Sequence, residues 1–354
     1  MCGIAGVIDL EDRRAIPAGV LPAMAAALRH RGPDEEGFFA GPGIGFAVRR
    51  LSIVDLADGR QPAENEDQSI RVVFNGEIFE HPELRGELTA RGHRFTTRCD
   101  TEVLPHLWEE QGEDMFARLR GQFAFALWDE GRRLVILARD RFGICPLFWT
   151  RAGGWLLFAS EIKALLASGL VEARPDPAGI DQMFTFLALP GPGTCFQGVQ
   201  TLLPGRYLRL QLGREGEPAR VTERTYWEMD FPERGKEEIG PDPGRLTDDM
   251  EKLLVGAVQR RLRADVPVVS YLSGGVDSSL VAALASRLRG EPLPTFTIQI
   301  ADRKLDETGP ATFAARQIGV EPVVVPCDTA RILGAYPLLI KAAEAPVGDT
   351  CCAA

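Results

Sequence analysis

The sequence predicts two domains of different class: an α+β layered domain over residues 1–212 and an α/β domain with a doubly wound parallel sheet over residues 245–354. Three features carry that expectation. Short apolar runs broken by turn residues dominate the first half, with helical stretches only interspersed. In the last third, strand-length and helix-length patterns alternate, the β-α-β-α-β succession of a parallel sheet. Between them, residues 213–244 turn polar and rich in Glu, Gly and Pro, the composition of a linker, with Tyr226-Trp227 as a short anchor.

In the first domain, Gly3–Asp9, Ile44–Val54, Arg71–Ile78, Gln122–Asp129, Leu134–Arg139 and Trp155–Ser160 read as strands. Glu130-Gly131-Arg132 sits between two of these runs as the turn of a hairpin. Helical periodicity marks Leu21–Arg29, Pro82–Arg91 and Thr101–Leu119, and Arg206–Leu212 is the strand expected to close the domain. In the second domain Leu246–Leu262 reads as a helix and Val266–Leu272 as a buried parallel strand. Helix Ser279–Leu288, strand Pro294–Ile300, helix Thr308–Ile318 and strand Glu321–Pro326 follow.

With 354 residues and 45% hydrophobic content, the chain is long enough for two sizeable cores. A net charge of −10 offers no basic field to nucleic acid or an anionic membrane, so neither is an expected partner. No apolar run approaches the roughly 18 residues of a spanning helix. Acidic residues Asp9, Glu11 and Asp12 follow the first apolar stretch directly, unlike a secretory leader. Seven cysteines, an odd number without framework spacing, point to reduced thiols and a cytoplasmic location. There is no Cys-x-x-Cys or His-x-x-x-His, and the adjacent Cys351-Cys352 is a poor zinc arrangement, so no structural metal is expected.

Chemistry enters at Cys2. Removal of Met1 would give this cysteine a free α-amine, titrating near 7.7–8.0, able to take its own thiol proton directly or through a water. Read alone, Cys2 could be merely a cysteine near a terminus. A second candidate is Ser273-Gly274-Gly275-Val276-Asp277-Ser278-Ser279, between the first predicted strand and helix of the second domain. Two glycines allow a tight turn in which amide N–H groups and serine hydroxyls face an anion at a helix N-terminus. No lysine stands where the Walker pattern needs one, and Asp277 would repel bare phosphate, so its carboxylate points to a magnesium ion bound with the phosphates. The plainer alternative is a serine-rich turn in which Asp277 or Ser278 caps the helix.

That loop resembles the pyrophosphate loop of ATP pyrophosphatases, and the N-terminal half resembles the class II, N-terminal-nucleophile glutamine amidotransferases. Together and in this order they resemble the glutamine-hydrolysing asparagine synthetases. The likeness runs from Cys2 through His30-Arg-Gly-Pro-Asp34, Arg50-Leu-Ser-Ile-Val-Asp55, Asn75-Gly-Glu-Ile78 and Asp100-Thr-Glu102. It continues through Phe123-Ala-Phe-Ala-Leu-Trp-Asp129, Arg139-Asp-Arg-Phe-Gly143 and Ser160-Glu-Ile-Lys163. It implies a four-layer αββα N-terminal-nucleophile hydrolase sandwich, then an incomplete synthetase domain. Val48, Cys145 and Phe79-Glu80 depart from the family pattern without removing a required group.

Hydrolysis of a primary amide needs a nucleophile, a proton shuttle and an oxyanion cradle. Cys2 and its amine would supply the first two, and the Asn75 side-chain amide with the Gly76 backbone N–H the third. Without Cys2, Asn75-Gly76 would read as a β-turn. The resemblance gives the glutamine carboxylate to Arg50 and its ammonium to Glu77 and Asp100. Arg50 as a surface charge and Asp100 as a helix cap stay open. His30–Asp34 either orders that region or touches glutamine directly. In the second domain the resemblance implies that ATP with magnesium adenylates a carboxylate, aspartate first. Ser273, Gly274, Gly275, Asp277 and Ser278 would hold the pyrophosphate portion, Asp277 the metal, and Leu272 and Ile298 the adenine. Ordinary strand core is the alternative for those last two. A homodimer stays open as the assembly. The chain stops before a second Ser-Gly-x-Gly-x-Asp-Glu loop, so glutamine hydrolysis with little amide product is expected of it. Two rivals remain: a tailoring amidotransferase acting on another carboxylate, and a non-catalytic glutamine-binding module.

Overall fold

The structure is a computed structural model. It describes residues 1–11, 14–213, 217–236, 240 and 242–348. Two units are distinguished, Met1–Met229 with Glu344–Pro346, and Asp230–Ala343.

The first unit runs β1 (Gly3–Asp9), α1 (Val20–Ala27), β2 (Glu35–Gly41), β3 (Ile44–Arg50), β4 (Ala63–Glu64), β5 (Ile70–Ile78), α2 (His81–Ala90) and α3 (Val103–Gln111). It continues with β6 (Gly121–Asp129), β7 (Leu134–Arg139), β8 (Phe148–Ala152), β9 (Trp155–Ala159), α4 (Ile162–Ala167), α5 (Pro177–Phe186), β10 (Gln200–Thr201), β11 (Arg206–Gln211) and β12 (Arg220–Thr225). Two six-stranded antiparallel sheets result, ordered β10-β8-β9-β1-β3-β2 and β12-β11-β7-β6-β5-β4. The period-two alternation of each central strand feeds two cores at once. Ile4 and Ile8 of β1 face the other sheet and meet Val73, Ala126 and Leu137 there. Ala5 and Val7 face outward onto Met24 of α1 and Leu165 of α4. On the far side, Phe74, Phe125 and Ile136 pack under Leu84 of α2 and Trp108 of α3. The layers are therefore helix, sheet, sheet, helix, as expected.

Two local outcomes in this unit differ from the sequence reading. The helix expected over Thr101–Leu119 is a 3-10 turn at Asp100–Glu102, then α3, then a 3-10 stretch at Gly112–Ala117. Gly112, at φ 55°, breaks it. The unit does not close at Arg206–Leu212, because β12 pairs with β11 from Arg206↔Thr225 to Gln211↔Arg220. This strand lies inside the segment expected to be linker; as a polar, half-exposed edge, its Arg-Val-Thr-Glu-Arg-Thr composition masked it. Tyr226 does anchor the segment, donating from its hydroxyl to the Arg139 carbonyl at 2.7 Å.

The second unit runs α6 (Pro243–Arg261), β13 (Ser270–Tyr271), α7 (Val276–Arg289), β14 (Thr295–Ile300), α8 (Thr308–Ile318), β15 (Val323–Cys327) and α9 (Thr329–Ala343). The strands are parallel in the order β13-β14-β15, with α7 and α8 as crossovers. Asp242 starts α6 by accepting from the Gly244 and Arg245 N–H groups, with Pro243 fitting the first turn. Strand β13 is much shorter than the expected Val266–Leu272, because Pro267 brings no N–H to a ladder. Leu284 and Ala285 of α7 pack with Val258 of α6 and Leu293, and Leu272 packs with Ala282, Ala311 and Ala315. Among the described residues, no helix is long and apolar enough to cross a membrane.

Candidate active site and phosphate loop

The end of β1 and the end of β5 meet at one cavity, lined by Cys2, Arg50, Gly76, Glu77, Asp100, Gln61 and Gln122, among others. Cys2, Arg50, Gly76, Glu77 and Asp100, far apart in sequence, thus share one lining, whereas Asn75 is not part of it. Cys2 is almost fully buried, and its sulfur accepts from the Leu51 N–H at 3.4 Å. Burial pushes its thiol up, against the opposing effects of the Leu51 hydrogen bond and the nearby N-terminal amine. Burial also pulls the Met1 ammonium below its ordinary value.

β5 supplies a backbone edge and a side chain. Alternate N–H groups of a strand point the same way. The Phe74 N–H is taken by Gln61 Oε1 at 2.7 Å and the Ile78 N–H by Asp100 Oδ2 at 2.9 Å. The Gly76 N–H lies between them on that edge, turned away from β6. A Cβ at Gly76 would lie 2.1 Å from the Gln122 carbonyl oxygen, so only glycine fits against β6 here. Asn75 projects to the opposite face, between the sheets. It is fully buried, and neither Oδ1 nor Nδ2 has a hydrogen-bond partner. A buried amide left unmatched is uncommon and costly unless something else comes to it.

Arg50 is buried, pairs with Glu35 at 3.1 Å and donates to the Val54 carbonyl at 3.1 Å and to the Asp55 carbonyl. It is no surface charge. Asp100 stands inside the first turn rather than at its cap, which is Cys99. Burial raises its carboxyl above the ordinary aspartate range despite the Ile78 hydrogen bond. Glu102 is spent elsewhere, accepting from the backbone and hydroxyls of Thr96 and Thr97.

The His30–Asp34 loop frames the cavity. Arg31 Nε donates to the Cys2 carbonyl at 2.9 Å, and its other arm pairs with Glu161 at 3.0 Å. His30 reaches the same carboxylate at 2.8 Å. Asp34 accepts from the Ser52 N–H at 2.8 Å, holding the strand end that bears Arg50. Gln61 is the residue the sequence did not single out. It carries no motif, and only the fold brings it between β5 and Thr101, to which its Nε2 donates at 3.4 Å.

In the second unit, Ser273, Gly274 and Gly275 form the turn between β13 and α7. Gly274 needs its φ of 80°, and a Cβ there would lie 2.4 Å from the Pro310 carbonyl carbon. The Ser273 and Ser278 hydroxyls lie 3.0 Å apart, and Gly275 caps α7 without offering a side-chain acceptor to its first N–H groups. Asp277 stands in that first turn, and the Ser279 Oγ is buried without a partner. The Leu272 side chain is core, and its N–H and carbonyl are bonded to Phe296 and Thr297. Ile298, half-buried on β14, pairs with Val325.

The family model of the glutamine amidotransferase domain matches residues 1–227, and that of asparagine synthase matches residues 249–354. Glutamine-hydrolysing asparagine synthetase 1 of Bacillus subtilis (strain 168) is 32% identical over 351 residues, covering 99% of this chain and 54% of that protein. Amidase chyE of Penicillium rubens is 35% identical over 335 residues, covering 90% of this chain and 48% of its own. The chain thus spans about half the length of these relatives. The glutamine phosphoribosylpyrophosphate amidotransferase structure from B. subtilis aligns with a TM-score of 0.46 at 16% identity, covering 92% of this chain and 81% of that one. The chain belongs to the glutamine amidotransferase domain family, and a match to the asparagine synthase domain follows in the same order as in these relatives.

Proposed function

We propose that the first unit hydrolyses glutamine to glutamate and ammonia, with Cys2 as nucleophile. The observation that carries this reading is the buried, unpartnered Asn75 amide beside the Gly76 edge N–H, at the same strand end as the Cys2 cavity. With Met1 in place the Cys2 nitrogen is an amide and no base, so the chemistry requires Met1 to be removed. The freed α-amine then takes the thiol proton. The sulfur adds to the glutamine side-chain carbonyl, and Asn75 Nδ2 with the Gly76 N–H holds the oxyanion. Ammonia leaves with the proton returned to it, and water releases glutamate from the thioester. Arg50 binds the substrate carboxylate, and Glu77 with Asp100 its ammonium. The test is covalent labelling by a glutamine-like electrophile, located by mass spectrometry. Label on Cys2 in Met1-free protein supports the reading; ammonia release undiminished with Met1 attached would overturn it.

For the second unit the proposal is binding of ATP with magnesium at residues 273–278, followed by amidation of an adenylated carboxylate. The uncapped start of α7, the paired serine hydroxyls and the buried Ser279 Oγ fit a polyphosphate, and Asp277 fits a magnesium ion bound with it. Bound there, the nucleotide supplies the activating adenylyl group. Ser273, Gly274, Gly275 and Ser278 hold phosphate oxygens, while Leu272 and Ile298 are proposed to flank the base. Aspartate is the proposed acceptor, and a homodimer in the cytoplasm the proposed assembly and location. A second reading, a tailoring amidotransferase on another carboxylate, is favoured by the fungal relative named as an amidase. Pyrophosphate release from MgATP, screened over carboxylic acids with the full-length gene product, separates the two.

A further inference from the structure

Away from the Cys2 cavity, four side chains that the proposed chemistry does not use converge beside α3. Glu66 comes from the turn after β4, His93 from the loop after α2, and His106 with Glu109 from successive turns of α3 itself. A donor atom from each lies within 4.8 Å of the others. Glu66 presents one oxygen to His93 Nδ1 at 3.4 Å and the other to His106 Nδ1 at 3.3 Å. Two bonds of about 2.1 Å at a tetrahedral centre would set ligand atoms about 3.4 Å apart, so the spacing already suits an ion. The two imidazole rings stand 4.9 Å apart between centroids.

Two further observations single this cluster out from an ordinary charged surface. The His106 side chain is 1% exposed, yet neither of its ring nitrogens makes a hydrogen bond. A buried imidazole left so is either strained or waiting for a ligand. Each outer member is also oriented from behind. His93 Nε2 pairs with Glu110 at 3.2 Å, which leaves Nδ1 as the lone-pair face. Glu109 accepts from Asn65 Nδ2 at 3.2 Å, and Glu66 from the Arg94 N–H at 2.8 Å. A carboxylate behind a histidine, turning its other nitrogen inward, is how metal-binding imidazoles are held.

We propose that Glu66, His93, His106 and Glu109 bind a divalent first-row transition ion, with zinc as the matching chemistry. Two neutral imidazoles suit such an ion, and two carboxylates balance its charge. Four protein ligands close the coordination sphere, so the role is structural: the ion staples α3 to the turn after β4 and to the loop after α2. The sequence spacing argued against a metal because its ligands come from three separate segments, which only the fold assembles.

The test uses the full chain, stripped with chelator and titrated with Zn²⁺ by calorimetry, then with Co²⁺ as a spectroscopic probe. One ion per chain is expected, with a rise in Tm. The cobalt form should show the visible bands of a four-coordinate nitrogen and oxygen site, without thiolate charge transfer. His93→Gln, at the half-buried ligand, should lower affinity at least tenfold, and Glu110→Gln about tenfold through its hold on His93. Failure to retain metal, a thiolate spectrum from the cysteines, or unchanged affinity in His93→Gln would each overturn the proposal.

Discussion

Replacing Asn75 by alanine removes one proposed oxyanion donor and is expected to lower kcat for glutamine hydrolysis about a hundred- to thousandfold, with KM little changed. Steady-state ammonia release reads it. Asp100 makes a different prediction. Burial raises its carboxyl, so the charged form that would hold the glutamine ammonium is lost as pH falls, beginning above the usual aspartate value of about 3.9. The kcat/KM profile should therefore carry an acid limb that Asp100→Asn abolishes, along with most of the affinity. A carboxyl whose folded pKa lies above its unfolded one weighs against the fold at neutral pH, and that burden lifts on acidification. Asp100→Asn should thus keep or raise Tm while it ruins KM. The thiols separate too. Burial, with Asp100 beside one and Asp140 beside the other, pushes Cys99 and Cys145 up to about 12. Both should stay unalkylated at neutral pH while Met1-free Cys2 reacts.

At the scale of elements, the Arg139-Asp140 pair is a clamp rather than a site. The buried Asp140 carboxylate accepts from the N–H groups of Phe123, Phe142, Ile144 and Cys145. Arg139 donates to the carbonyls of Cys145, Leu202 and Gly143. Asp140→Ala strands those donors and should cost at least about 3 kcal/mol, read as a lowered denaturant midpoint. Asp140→Asn, keeping one acceptor oxygen, should cost less. Such motifs were legible in the sequence as fixed residue orders, but not their duty: a carboxylate that organises a loop and one that binds substrate look alike in one dimension. Strands were legible where both faces are apolar, as in β1, β6 and β7. They were hidden where one face is open: β2 alternates half-buried with exposed positions, and its Glu35-Glu36-Gly37 start reads as a loop. Helix α5 had its signals, an Asp176 cap, Pro177 and apolar Ile180, Met183 and Phe184 at helical spacing, yet it was not read, and of these ten residues the fold buries only Gly179. Of the cavity lining, Cys2, Arg50, Gly76, Glu77 and Asp100 lie in stretches whose order drew attention in the sequence, whereas Gln61 waited on the fold.

At the scale of the whole chain, the two candidate sites belong to separate units and should respond to separate variables. Asp277→Asn is expected to weaken binding of MgATP more than that of metal-free ATP, measured by equilibrium dialysis, because it removes the proposed metal contact and not the phosphate donors. An equal loss in both would remove Asp277 from that role. The polar stretch the sequence marked as linker holds both a unit's last strand and the approach to the next, since edge strands and linkers share a composition. Length also matters at this scale. The chain spans about half the length of each of these relatives, so the acceptor is a question for the full-length gene product.

β1 is buried from end to end and hydrogen-bonded on both sides, to β3 and to β9. A peptidase that trims Met1 must draw the first residues, extended, into its own cleft, and a central strand cannot be lent out without parting its sheet on both sides, from β3 and from β9. The trimming that the Cys2 chemistry demands therefore belongs to the nascent chain, ahead of tertiary assembly. A molecule that misses this moment would be well folded, soluble to every physical assay, and permanently silent towards glutamine.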